Sequence, residues 1–151
     1  MIKILKPLTI LIAGLLPLLA FSQEPVKWIY TSRETVPGTF EIRFTASIEP
    51  GWHVYSQSTP PGGPAPTQFS FSKNPLIEMQ GKVKEEGKLE QHFEEVFGVD
   101  VKQYSQSVTF IQVVKKKVEA RTRLNVEIEY MSCNEEMCLP AETVKFSIDG
   151  L

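Results

Sequence analysis

Two cysteines and two histidines are all that 151 residues hold of the side chains that most often bind transition metals or exchange disulfides. Two cysteines are too few for the disulfide-dense scaffold of a very small secreted domain. An excess of positive charge is also missing. Sixteen Lys+Arg against 18 Asp+Glu leave a net charge of −2, which excludes the basic footprint of a nucleic-acid binder. There is no Gly-rich phosphate loop, no Ser-centred nucleophile elbow and no His-Glu-x-x-His, so none of those chemistries is indicated and no cofactor is expected. Beyond residue 22 no apolar stretch is long enough to cross a bilayer. What is present is 42% hydrophobic and 10% aromatic, enough to bury the core of one domain.

The first 22 residues read as a leader. Lys3 and Lys6 precede the apolar run Leu8–Leu19, and Ala20-Phe21-Ser22 puts small residues where a signal peptidase needs them. Gly14 and Pro17 interrupt the run, which is short for a membrane anchor. Cleavage after Ser22 is expected to leave a domain over 23–151. The export such a leader brings would put the two cysteines where a disulfide forms and persists.

Strand signals fill the rest. Thr39–Ile48 alternates strictly, with Phe40, Ile42, Phe44, Ala46 and Ile48 on one side. Leu124–Met131 repeats the pattern. Weaker strands are expected at Val26–Ser32, Trp52–Tyr55, Gln68–Ser72, Ile77–Val83, Val101–Tyr104, Ser107–Val114 and Thr143–Ile148. Turn signals at Pro37-Gly38, Pro50-Gly51, Asn74-Pro75 and Lys115–Lys117 separate them. Such spacing predicts an all-β sandwich or barrel. Lys84–Phe97 is charged enough to suggest a helix, but Gly87 and the lack of a 3.6-residue stripe argue against it. Ser58–Pro66 holds four prolines and two glycines in nine residues, so it reads as a stiff crossover between sheets or a wall beside a site.

The segment most informative about chemistry is Tyr130–Thr143, YMSCNEEMCLPAET. Cys133 ends one alternating strand and Cys138 precedes the last, so the pair sits at the open end of a hairpin, close enough to bridge. As a staple, a loop of about six residues contributes roughly 2 kcal/mol, less than a long loop. As a redox pair, a short turn-closing disulfide is readily opened and reclosed. Chemistry alone leaves both open. Glu135 and Glu136 disfavour a free thiolate, which suits a carrier that exchanges only when docked. A Cys₂His₂ metal site with His53 and His92 lacks ligand-like spacing. In Gly51–Tyr55, period two places Trp52 and Val54 on one face and His53 and Tyr55 on the other. In His92–Gly98, Phe93, Val96 and Phe97 are costly to leave in water unless they cover something.

Taken in order, Gly51–Ser56 (GWHVYS), Gly63–Thr67 (GPAPT), Glu94–Gly98 (EEVFG) and YMSCNEEMCLPAET resemble the N-terminal periplasmic domain of the bacterial thiol:disulfide interchange protein DsbD. The resemblance implies an immunoglobulin-like antiparallel β-sandwich and a periplasmic module, an oxidoreductase of the protein-disulfide reductase type. It implies that Cys133 and Cys138 form the redox pair, with Cys138 bonding the partner. It makes Glu94, Glu95, Val96, Phe97 and Gly98 a cap loop packed over the disulfide. His53, where the family carries tyrosine, and Tyr55 would line the site. Electrons would come from a membrane-embedded donor on another polypeptide, this chain being a free-standing version. They would go to thioredoxin-like acceptors such as disulfide isomerases and the thioredoxins of cytochrome c maturation. A monomer without metal or nucleic acid is expected. The alternative is a non-catalytic immunoglobulin-like binding or adhesion domain with a structural disulfide.

Overall fold

A computed structural model describes residues 24–151. The segment read as a signal peptide lies outside them. Nine strands run in the order β1 (Val26–Val36), β2 (Thr39–Ile48), β3 (His53–Tyr55), β4 (Gln68–Phe71), β5 (Ile77–Glu94), β6 (Val99–Lys116), β7 (Arg123–Tyr130), β8 (Ser132–Cys133) and β9 (Glu142–Asp149). They form two antiparallel sheets, one of β1, β2, β3, β5, β6 and β8 and one of β4, β7 and β9. This is the expected all-β, immunoglobulin-like sandwich. No described residue is helical.

The alternating strands behave as their periodicity dictates. Ile42, Phe44 and Ala46 of β2 and Leu124, Val126 and Ile128 of β7 are fully buried, each set facing the other sheet. Aromatic rings join the layers: Phe44 and Phe110 from the larger sheet meet Phe69 from the smaller at centroid distances of 5.6 and 5.1 Å. Tilted contacts of this kind add to the burial of the rings themselves.

β6 is the spine. Its residues 107–115 pair with β2 and its residues 103–105 with β3, so β2 and β3 lie end to end along one edge while β5 takes the other. Sequence reading divided β6 into two strands; it is one. The break is a bulge, where the register steps from Gly87↔Val108 to Leu89↔Tyr104 and Gln106 adopts φ 69°. Lys84–Phe97, weighed as a helix and set aside, is the outer half of β5 as far as Glu94 and then the start of a turn. Gly87 has a packing role here: a Cβ on it would stand 3.1 Å from the Tyr104 ring, which crosses over it. That ring reaches Glu85, whose carboxylate accepts bonds from Tyr104 Oη (2.6 Å), Ser56 Oγ (2.7 Å) and the Gln57 N–H (2.7 Å). Ser56 and Gln57, just beyond the end of β3, are thereby tied down on β5.

Two further expectations need correction. Lys115 and Lys116 are not a turn but the end of β6, opposite Thr39 and Ile77, and the bend begins at Lys117. Nor do the cysteines simply cap a hairpin. β7 and β9 do pair, from Arg123↔Asp149 to Tyr130↔Glu142. After Tyr130, however, the chain leaves that sheet and adds β8 to the other one, Val54↔Ser132 and His53↔Cys133.

Candidate functional site: a disulfide at the edge of a cleft

β8 has only two residues, and both are buried. Their register against β3 decides the site. His53 and Cys133 are directly opposed, so their side chains share the face turned away from the core. Trp52 and Val54 face inward as expected, Val54 wholly buried and Trp52 partly.

Beyond Cys133 the chain makes a tight turn. Asn134 Oδ1 accepts bonds from the backbone N–H groups of Glu136 (2.9 Å) and Met137 (2.8 Å), and the Asn134 N–H donates to the Met137 carbonyl (2.9 Å). This local capping by an Asn side chain suits a turn that has no room for a ladder. It returns Cys138 to bond with Cys133, the Cα atoms 4.0 Å apart. Leu139 then donates to the Ser132 carbonyl at 2.9 Å. The two residues differ sharply in access: Cys133 is 1% exposed, and Cys138 stands on the surface.

The disulfide lies in a cleft of about 1030 Å³. Its floor is the outer face of β3 and β6, and one side is the tip of the β5–β6 hairpin. His53 and Tyr55 are brought together there, Nε2 and Oη 3.0 Å apart with the rings nearly perpendicular. Tyr55 is 5% exposed and packs with Val101 and Cys133. Burial pushes the Tyr55 phenol up to about 12, with help from the negative charge of Glu94. Burial pulls His53 below the usual imidazole range and neighbouring His92 adds to this, while Glu90 and Glu94 oppose it. His53 is therefore neutral at pH 7. His92 shares the cleft, 3.5 Å from Glu94. The two histidines are thus neighbours despite their distance in sequence, but both cysteine sulfurs are committed to each other.

The loop expected to cap the disulfide is the hairpin turn itself, held by N–H bonds from Phe97 and Gly98 to the Glu94 carbonyl. Glu94, Val96 and Phe97 line the cleft; Glu95 and Gly98 do not. The expected covering is absent. Val96 is 83% exposed, Phe97 43%, and Cys138 is open to solvent. Phe93 alternates with His92 and Glu94 and so points to the opposite face. Replacing Val96 and Phe97 together by alanine is therefore expected to leave the alkylation rate of reduced Cys138 by iodoacetamide essentially unchanged. A several-fold acceleration would mean that the tip closes over the thiols after all.

The proline-rich Ser58–Pro66 segment is a crossover from β3 to β4 and does not line the cleft. It braces the hairpin from outside: a Cβ on Gly63 would stand 3.0 Å from Val99 Cγ2, so a larger residue there would press on Val99. Sequence reading missed Gln103 and Ser105, which also line the cleft. They flank buried Tyr104 at period two, the one signal that marks them as facing the other way. Gln103 Oε1 is buried without a partner, and Ser105 donates to Glu90 at 3.0 Å.

Comparisons with known proteins bear on the family and on the fold. Residues 24–150 match the family described as thiol:disulfide interchange protein DsbD, N-terminal. Among solved structures, the reduced DsbD N-terminal domain of Neisseria meningitidis is similar at a TM-score of 0.54 and 16% identity, over 83% of this chain and 86% of that one. The N-terminal periplasmic domain of ScsB from Proteus mirabilis is similar at a TM-score of 0.57 and 16% identity, over 85% of this chain but 47% of that one. At such identity the structural likeness speaks for the fold. No curated protein matches the sequence.

Proposed function

Since the family match runs from residue 24 to residue 150, the chain belongs to the DsbD N-terminal family of thiol:disulfide interchange modules, and we propose that Cys133 and Cys138 are its exchange centre. The observation that carries this is the asymmetry of the pair. Exchange requires a thiolate to reach one sulfur in line while the other leaves. Exposed Cys138 is open to a partner, and buried Cys133 is open only to Cys138. Cys138 is the interchange cysteine and Cys133 the resolving one. His53 and Tyr55 line the exchange site, and the Glu94–Gly98 tip forms its movable rim.

In this reading residues 1–22 direct the chain to the periplasm, where a disulfide carrier has substrates. A membrane-embedded protein reduces the pair, and thioredoxin-like proteins accept the electrons. Exposed Met137 and Val96, on opposite sides of the cleft, offer such a partner apolar contact.

The midpoint potential of the Cys133–Cys138 couple in glutathione or dithiothreitol buffers tests the reading. A value above about −300 mV is expected of an exchanger. A lower value makes the bond a staple and favours a binding or adhesion domain instead.

A further inference from the structure

Cys133 presents a chemical problem that Cys138 does not. Its sulfur is buried, so whenever it attacks as the resolving cysteine its proton has to go to a protein group rather than to bulk water. We infer that His53 is that group: the imidazole takes the Cys133 thiol proton during resolution, with Tyr55 holding the ring. This deepens the exchange reading and rests on it.

Register supplies the position. Directly opposed residues of neighbouring antiparallel strands hold their Cβ atoms about 5 Å apart on one face, and His53 and Cys133 are such a pair. The inferred role takes the tautomer in which the imidazole, and not the phenol, donates in the bond to Tyr55. With Nε2–H donating to Tyr55 Oη, the Nδ1 lone pair is free to accept a proton. A phenol whose pKa is pushed up to about 12 stays protonated and does not compete for that role. The surroundings keep the ring neutral until the proton arrives. β6 faces it with uncharged Gln103 and Ser105. β5 contributes His92, which disfavours positive charge on His53, and Glu90 and Glu94, which stabilise the imidazolium once formed. Glu49, Glu135 and Glu136 border the same cleft.

A protein disulfide has first been attacked by the Cys138 thiolate, giving a mixed disulfide and one partner thiol. The Cys133 S–H then loses its proton to His53, and its electron pair forms the bond to Cys138 Sγ. The Cys138–partner bond breaks, and its electron pair leaves on the partner sulfur, which takes the proton from the imidazolium or from water. The partner is reduced by two electrons and the pair is oxidised.

Oxidised glutathione serves as the probe. Reduced protein is mixed with it at pH 5–8, quenched in acid, and the glutathione adduct on Cys138 is followed by mass spectrometry. In the unchanged protein the adduct should be short-lived at pH 7, and its resolution should slow as pH falls through a value below 6.5, where His53 becomes protonated. His53→Gln keeps a hydrogen-bonding side chain but accepts no proton at these pH values. It should prolong the adduct about 100-fold at pH 7, the usual worth of a general base. Resolution should then rise steadily with pH across the range, while adduct formation keeps its rate. His53→Phe should behave alike, and Tyr55→Phe should fall between. If the adduct forms on Cys138 but has the same lifetime and pH profile in His53→Gln, the assignment of His53 is overturned and the exchange reading stands. If Cys133→Ser protein forms no adduct on Cys138, the exchange reading fails and takes this inference with it.

Discussion

Cys133→Ser protein, reduced and then mixed with an oxidised thioredoxin-like protein, should accumulate a covalent complex through Cys138, while Cys138→Ser should accumulate none. The contrast is close to all-or-none because two independent features favour the same sulfur. Cys138 is exposed at the mouth of the cleft, whereas Cys133 is 1% exposed beneath Tyr55 and Met131. A mixed disulfide to Cys133 would require a second chain to reach a buried atom on a strand paired through its own backbone. Without Cys133, the bond to Cys138 has no internal thiol to release it, so the complex persists on non-reducing electrophoresis. Trapping by Cys138→Ser instead would reverse the roles. If neither variant traps and both lose only a little stability, the bond is a staple.

Phe110→Ala is expected to cost about 3–5 kcal/mol, the usual penalty for emptying a large aromatic site in a packed core. Phe110 is wholly buried at the middle of β6, with Trp28 5.7 Å and Phe69 5.1 Å from its ring. It bridges the two sheets at the point where β2 and β5 flank β6. A domain of this size holds about 5–15 kcal/mol in all, so the melting temperature should fall by roughly 10–20 °C. Phe93→Ala is the matching control: the same change at a side chain 61% exposed should move it by a few degrees at most. Equal losses in thermal denaturation would mean that the sandwich interior is not closed around Phe110.

How far the sequence reaches depends on how each element is buried. β2 and β7 were legible because one face of each is buried and the other is not, so period two is written into residue type. β5 was not, beyond its first few residues. Most of its side chains meet solvent on both faces, and its pairing to β6 satisfies backbone groups without asking for apolar ones. The bulge at Gln106 shifts which residues face inward, and one strand therefore read as two. At the site, the cysteines announced themselves by spacing, and His53 and Tyr55 by alternation with Val54. The change of sheet after Tyr130 left no trace, because a strand as short as Ser132–Cys133 has no period to detect. His92 reaches the cleft through the register Gln91↔Lys102 and His92↔Val101, a property of pairing and not of any local motif.

The long hairpin also sets a timescale for the cleft. The Lys102 carbonyl accepts the Ser56 N–H at 2.9 Å, the last backbone bond from the β3 side. Past it, β5 and β6 continue as a two-stranded ribbon that ends in the Glu95–Gly98 turn. Val101 packs against Tyr55 and Cys133 and Gly63 lies against Val99, so the ribbon is held up to its last rung and only the turn is free to move. The clamp of Gly63 on Val99 marks the nearest fixed point. The rim is thus a short reed held at its base, not a hinged door. Its excursions belong to the nanosecond-to-microsecond range of loops and termini, far shorter than the lifetime of a covalent encounter. An arriving partner meets every position of the rim many times over, so the pace of electron delivery is left to diffusion and to sulfur chemistry.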